Sequence, residues 1–75
     1  MTKQEKTVLK KKFGKHIQKI RLNKGMSLLD VSSGCSIDDS RISKIEHGHY
    51  DVSLSTLVEL SRGLGVPVTQ LLGFI

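Results

Sequence analysis

The sequence predicts an all-α fold of five short helices around one core. Apolar residues recur at helical spacing in the N-terminal third, where Phe13, Ile17 and Ile20 are separated by polar residues. No segment alternates apolar and polar residues for long enough to predict a strand. A chain of 75 residues has room for one hydrophobic core, so we expect residues 1–75 to form a single domain.

The first helix is predicted over residues 7–24, because Gly25 is suited to ending the periodic stretch. Residues 1–6 are polar, and we expect them to form a flexible basic arm that carries Lys3 and Lys6. Further helices are predicted over residues 28–34, 39–46, 54–62 and 67–72.

N-terminal capping residues mark the starts of the later helices. Ser27, Asp38 and Ser53 each stand at an N-cap position, flanked by apolar residues at the spacing of a hydrophobic staple. Asp30 completes a capping box with Ser27. Pro67 is suited to the first turn of the last helix, where its missing N–H is not needed.

Positive charge is concentrated at the N-terminal end of the chain. Residues 1–24 hold nine Lys or Arg against one Glu, which gives +8, whereas residues 25–75 hold three against six acidic residues, which gives −3. A basic surface favours a polyanion such as nucleic acid, although a solvated helix face has the same composition. The single Cys35 excludes an internal disulfide, so we expect a buried, inert thiol in a reducing cytoplasm. No apolar run is long enough to span a membrane, and no membrane partner is expected.

The second and third helices are separated by only about four residues, "GCSI". Such a short connection predicts a steep crossing, as in a helix-turn-helix, over residues 27–47. Ile42 and Ile45 share one face of the third helix and are expected to anchor it to the core. Five residues then face away from the core: Asp39, Ser40, Ser43, Lys44 and His47.

The segment from Phe13 to Leu72 resembles the Cro/repressor-type (Xre-like) helix-turn-helix family of regulators. The resemblance rests on three stretches taken together, "FGKHIQKIR", "GMSLLDVSSGCSIDDSRISKIEHG" and "STLVELSRGLGVPVTQLL". It implies a compact, lambda-repressor-like five-helix fold. It also implies a homodimer that regulates transcription from a palindromic site in double-stranded DNA, as phage repressors, antitoxins and restriction–modification controllers do.

The resemblance also implies roles for individual residues, with the third helix as the recognition helix in the major groove. We expect base reading by Asp39, Ser40, Ser43 and Lys44. We expect contacts with the DNA backbone from Ser27, Arg41, His47, His49, Tyr50 and Lys15. An internal ion pair is implied between Arg21 and Glu46. A dimer interface is assigned to the surplus apolar residues at the C-terminus, Leu71, Phe74 and Ile75.

Three residues depart from the family pattern. Leu28 replaces a Gln that usually contacts a phosphate. Ser36 stands where the turn usually has a left-handed Gly, which costs Ser about 1 kcal/mol unless Gly34 shifts the turn. Asp39 stands where a neutral or basic reader is common. It either accepts a hydrogen bond from cytosine N4, or pairs with Arg41 or a lysine and touches no base.

Neither catalysis nor a bound metal or cofactor is expected. No nucleophile–base grouping and no phosphate-binding glycine loop is present, and His47 and His49 alone cannot form a metal site. Two other functions stay open. One is a protein-interaction module on the same fold, favoured by Leu28, Asp39 and the negative charge after residue 24. The other is a nonspecific DNA binder that uses only the lysine-rich face.

Overall fold

The structure, a computed structural model that describes residues 1–75, is built from five helices and contains no strand. The helices are α1 (Lys3–Asn23), α2 (Leu28–Ser33), α3 (Asp39–Glu46), α4 (Leu54–Leu64) and α5 (Val68–Leu71). The all-α prediction is therefore confirmed. None of the five helices is both long and apolar enough to cross a membrane.

Helix α1 begins at Lys3 rather than at residue 7, so the expectation of a flexible arm over residues 1–6 is wrong. The Thr2 hydroxyl accepts from the Glu5 N–H at 3.1 Å, and the Glu5 carboxylate accepts from the Thr2 N–H at 2.9 Å. These bonds with Thr2 lower the pKa of Glu5. The capping box satisfies N–H groups that the first turn otherwise leaves unpaired, and this extends the helix into the polar segment.

The three predicted N-caps of the later helices are confirmed. The Ser27 hydroxyl accepts from the Asp30 N–H at 3.0 Å, and the Asp30 carboxylate accepts in return from the Ser27 N–H at 2.8 Å. The side chains of Asp38 and Ser53 accept from the N–H three residues further on, at 2.7 and 3.2 Å. Pro67 is itself the N-cap of α5, so this helix begins at Val68, one residue later than predicted.

All five helices contribute to one apolar core, and this core fixes α3. Its ten buried side chains are Phe13, Ile17, Ile20, Val31, Ile37, Ile42, Ile45, Leu60, Leu64 and Leu71. Helix α3 packs on α1 and α2, while α4 packs on α2 and α5. Ile42 and Ile45 are 0% and 1% exposed, which confirms that they anchor α3. Burial of two such side chains contributes roughly 3–6 kcal/mol.

Two glycines let the helices approach backbone to backbone. A Cβ at Gly14 of α1 would lie 2.4 Å from the carbonyl oxygen of Glu46, so the end of α3 rests directly on α1. A Cβ at Gly63 of α4 would lie 2.6 Å from the carbonyl oxygen of Val31 in α2. Non-bonded atoms do not approach this closely, so the seating of α2 and α3 depends on glycine at both positions.

The C-terminal residues serve mainly the protomer's own core, and this corrects the assignment of Leu71 to a dimer interface. Leu71 is 0% exposed, so it has no surface left for a second copy. Phe74 is half-buried, with its ring centroid 6.0 Å from that of Phe13 and 5.6 Å from that of His16. Of the three residues assigned to the interface, only Ile75 is largely exposed, at 85%.

Candidate nucleic-acid interface

The turn between α2 and α3 does not have the expected left-handed geometry. Only glycines have a positive φ, and Gly34 has φ −96°, so the expected strain at Ser36 is absent. Instead, the Ser36 N–H donates to the Glu59 carboxylate of α4 at 2.9 Å, and this bond is the largest cause of a lowered Glu59 pKa. Cys35 lies in this turn and is half-buried rather than buried. The turn that leads into α3 is therefore held by α4.

Helix α3 presents a polar face that the core does not cover. Ser40 and Lys44 are exposed, as is the C-cap His47, and their spacing of four and three residues places them along one stripe of the helix. Asp39 and Ser43 are half-buried at the border of this face. All five residues predicted to face away from the core therefore retain accessible surface.

Asp39 has no ion-pair partner. The side-chain ion pairs of the chain are Arg21–Glu46 and Glu59–Arg62, so the alternative in which Asp39 pairs with Arg41 or a lysine is wrong. The Arg41 guanidinium instead lies over the Tyr50 ring, 5.5 Å from its centroid. Such a cation–π contact is worth roughly 0.5–1 kcal/mol at an exposed site. It holds Arg41 against the loop that follows α3.

Arg21 and Glu46 form the ion pair that the resemblance implies. Arg21 Nε donates to Glu46 Oε2 at 2.7 Å and Nη2 donates to Oε1 at 3.0 Å, while Nη1 donates to the Met26 carbonyl oxygen at 3.0 Å. Arg21 is 9% exposed and Glu46 is 6% exposed. The hydrogen bond with Glu46 raises the pKa of Arg21. Because Glu46 ends α3, this two-bond contact fixes the angle between α3 and α1.

The loop after α3 begins with a histidine whose tautomer follows from its partner. His47 Nδ1 lies 2.7 Å from the Ser43 carbonyl oxygen, and since a carbonyl only accepts, Nδ1 carries the hydrogen. Nε2 then faces outward without an intramolecular partner. The rings of His47 and His49 are 6.2 Å apart, and no group of three His, Cys, Asp or Glu is arranged to hold a metal ion. His49 and Tyr50 are exposed.

Two other residues predicted to contact the DNA backbone lie outside α3 and the loop that follows it. Lys15 lines a groove together with His47 at the end of α3, whereas Ser27 is exposed at the start of α2. Sequence reasoning did not identify Glu59, which holds the turn, and it did not distinguish Lys11, which lines the same groove as Lys15, from the other lysines of the first helix that could contact phosphates. Glu59 gave no local signal because its partner lies 23 residues away. Lys11 was hidden in a run of lysines.

Comparison with known proteins places this geometry in a family context. Residues 17–71 match the helix-turn-helix family model. The chain is 38% identical over 63 residues to the control protein C.BamHI of Bacillus amyloliquefaciens, which covers 83% of this chain and 78% of the relative.

Two solved structures of restriction–modification controller proteins share the fold. C.AhdI from Aeromonas hydrophila superposes with a TM-score of 0.76 at 28% identity, over 81% of this chain and 92% of that one. The C.Esp1396I tetramer, solved in complex with its natural 35-base-pair operator, superposes with a TM-score of 0.79 at 31% identity, over 87% of this chain and 86% of that one.

Proposed function

Because this chain belongs to the helix-turn-helix family, we propose that it is a transcription regulator that binds a specific sequence in double-stranded DNA. The observation that carries the proposal is the α3 face, which is polar, exposed and fixed to the core by two buried isoleucines and a buried ion pair. The operator complex of the related C.Esp1396I supports the same use of the fold. The function needs no catalytic group, and it places the protein in the cytoplasm with the DNA.

In the proposed complex, α3 lies in the major groove. Ser40 and Lys44 read bases from the centre of the exposed stripe, and the half-buried Asp39 and Ser43 read from its border. The DNA backbone is contacted by Ser27, Arg41, His47, His49, Tyr50 and Lys15. The Tyr50 ring, which already holds Arg41, keeps this guanidinium beside the backbone rather than in solvent.

We propose a homodimer on a palindromic site. Two recognition helices related by a two-fold axis read half-sites about one helical turn apart, on the order of 34 Å. Ile75 and the accessible part of Phe74 supply the apolar contact, since Leu71 is used within the protomer. Similarity to the controller proteins favours a regulator of a restriction–modification operon over an antitoxin or a phage repressor.

Asp39 is proposed to accept from cytosine N4. An unpaired carboxylate is repelled by the phosphates, and cytosine N4 offers it a donor at a major-groove edge where the partner guanine presents only acceptors. The absence of an ion pair in the free protein leaves Asp39 available for this contact.

Selection of bound duplexes from a random pool at near-physiological salt tests the proposal. We expect the wild-type protein to enrich an inverted repeat. The Asp39→Ala variant should lose the preference for cytosine at one position of each half of that repeat. Asp51→Ala is the matched control, because it removes the same charge from an exposed residue of the loop and should leave the consensus unchanged. Recovery of DNA without a consensus would refute specific reading and favour the nonspecific binder.

A failure to recover any DNA would favour the protein-interaction module. The structure weakens one argument for that alternative, because Leu28 is half-buried and packs against the core. Its replacement of the usual Gln is therefore explained by burial and does not require a protein partner.

A further inference from the structure

A groove of about 220 Å³ lies between α1 and the C-terminal end of α3, and all five residues that line it are polar or charged. Lys11, Lys15 and Gln18 line it from α1, and Glu46 and His47 line it from α3. The three α1 residues are spaced four and three apart, so they share one face of the helix. This face is turned toward the recognition helix and the loop that follows it.

The walls of the groove are held at fixed separation by two glycines. Gly14 seats the last carbonyl groups of α3 on α1, at a distance that admits no Cβ. Gly48, with φ +78°, brings the following loop against the same face of α1, at Lys11. A Cβ there would lie 2.9 Å from Lys11 Cγ and 3.0 Å from Lys11 Cα. The positions of Lys11 and His47 relative to α3 are therefore set by backbone packing.

The net charge within the groove is positive. The Glu46 carboxylate is neutralised by its two hydrogen bonds to Arg21. Lys11 and Lys15 are exposed, and neither has an acidic partner within ion-pair distance. Two unpaired lysine side chains that line one groove are suited to an anion with several acceptor oxygens.

Two other lysines near α1, Lys12 and Lys24, are placed differently. Lys12 lies in a separate groove with Glu5, Val8 and Leu9, on another face of the helix. Lys24 lies beyond the end of α1, with its Nζ 3.5 Å from the Gly65 carbonyl oxygen. Proximity to α3 thus distinguishes Lys11 and Lys15 from neighbours of equal charge.

We propose that this groove binds one phosphodiester of the DNA backbone beside each half-site, with Lys11 and Lys15 as its ligands. The proposal rests on the proposed function and extends it, because it adds Lys11 to the interface. It also assigns part of the positive charge of α1 to direct contact with one defined phosphate rather than to long-range attraction alone. In such a contact, each neutralised phosphate releases condensed counterions.

The salt dependence of operator affinity tests the proposal. The logarithm of the binding constant falls linearly with the logarithm of salt concentration, with a slope of about 0.9 per phosphate contact on B-form DNA. We expect the Lys11→Gln/Lys15→Gln variant to lose about 0.9 of this slope for each half-site, which is about two units for a dimer on its operator. Lys12→Gln/Lys24→Gln removes the same charge away from the groove and should keep the wild-type slope. Equal slopes in the two variants, with equal unfolding temperatures, would overturn the proposal.

A second experiment identifies which phosphate the groove contacts. Methylphosphonate substitution removes the charge of one phosphate at a time. In the wild-type complex, several positions per half-site should weaken binding, and the Lys11→Gln/Lys15→Gln variant should be insensitive at one of them only. Loss of sensitivity at no position, or equally at all positions, would contradict a defined contact.

The outcomes separate this inference from the proposed function. If the wild-type protein selects no consensus, the regulator proposal fails, while the slope comparison on a duplex of arbitrary sequence still decides the role of the groove. Inorganic phosphate can also be titrated into the free protein and followed by NMR. If it shifts the resonances of the residues that line the groove, but the Lys11→Gln/Lys15→Gln and Lys12→Gln/Lys24→Gln variants have equal salt slopes, the groove binds a free anion and the DNA assignment is overturned.

Discussion

Removal of one partner of the Arg21–Glu46 ion pair should cost more stability than any surface substitution. Glu46→Ala leaves a guanidinium that is 11% exposed with a single bond, to the Met26 carbonyl oxygen. Breaking a buried pair from one side costs about 3–5 kcal/mol, and the retained bond places this variant near 3 kcal/mol. For a domain of this size, each kcal/mol lowers the unfolding temperature by about 4–8 °C, so we expect a fall of roughly 12–24 °C. Thermal unfolding followed by circular dichroism measures it.

Two variants control this experiment. Arg62→Ala breaks the exposed pair with Glu59 and should lower the unfolding temperature far less, because the Arg62 side chain is 67% exposed. The apolar double substitution Arg21→Met/Glu46→Leu should recover most of the stability lost in Glu46→Ala, since it leaves no buried charge unpaired. The reasoning is refuted if Glu46→Ala is no more harmful than Arg62→Ala.

Three further changes test other contacts. Gly14→Ala forces a Cβ against the Glu46 carbonyl oxygen and should therefore destabilise the fold by about 1–3 kcal/mol. Urea unfolding measures this loss, and an unchanged midpoint would contradict the close approach of α1 and α3. Glu59 has a lowered pKa, so its contribution to stability is present above its ordinary pKa of 4.5 and is lost as pH falls through the lower folded value. Glu59→Gln keeps an acceptor for the turn and should flatten the decline of the unfolding temperature in acid, whereas a wild-type profile would exclude this contribution. Ile75→Arg should weaken self-association, measured by sedimentation equilibrium, without changing the unfolding temperature. Leu29→Arg, at another exposed apolar residue, should leave self-association unchanged. Equal effects of the two variants on self-association would argue against a C-terminal interface.

The elements that sequence reasoning placed correctly are those with a local signal. The Ser27–Asp30 capping box and the Asp38 and Ser53 caps each lie within three residues of their partners, so the chain order alone reveals them. The start of α1 had the same kind of signal, from Thr2 to Glu5, but the polar composition around it obscured the capping box.

The features that sequence reasoning missed depend on contacts between distant parts of the chain. The hydrogen bond from Ser36 to Glu59 replaces the left-handed glycine expected in the turn, and no pattern near Ser36 indicates it. Burial of Leu71 likewise depends on how α5 packs against α4 and α1. The Arg21–Glu46 pair spans 25 residues and was anticipated only through the family resemblance.

The two carboxylates that open α3 have different physical roles, and this leads to a prediction of altered specificity. Asp38 accepts from the Arg41 N–H and is used by the helix itself, which favours negative charge at its N-terminal end. Asp39 makes no such bond, and in the proposed complex a donor at a base edge offsets the repulsion between its charge and the phosphates. Adenine, guanine and thymine each present at least one acceptor in the major groove, which repels a carboxylate.

In the proposed complex, Asp39 acts as much by rejecting other bases as by binding cytosine. Asp39→Asn keeps the shape of the side chain but adds an amide donor, which matches adenine N6 and N7. We expect this variant to select adenine where the wild-type protein selects cytosine, and to bind unrelated DNA more tightly because one repulsive charge is gone. Competition binding with duplexes that differ only at that base pair measures both effects. A variant that gains nonspecific affinity but keeps the cytosine preference would show that the charge of Asp39 shapes affinity without reading the base.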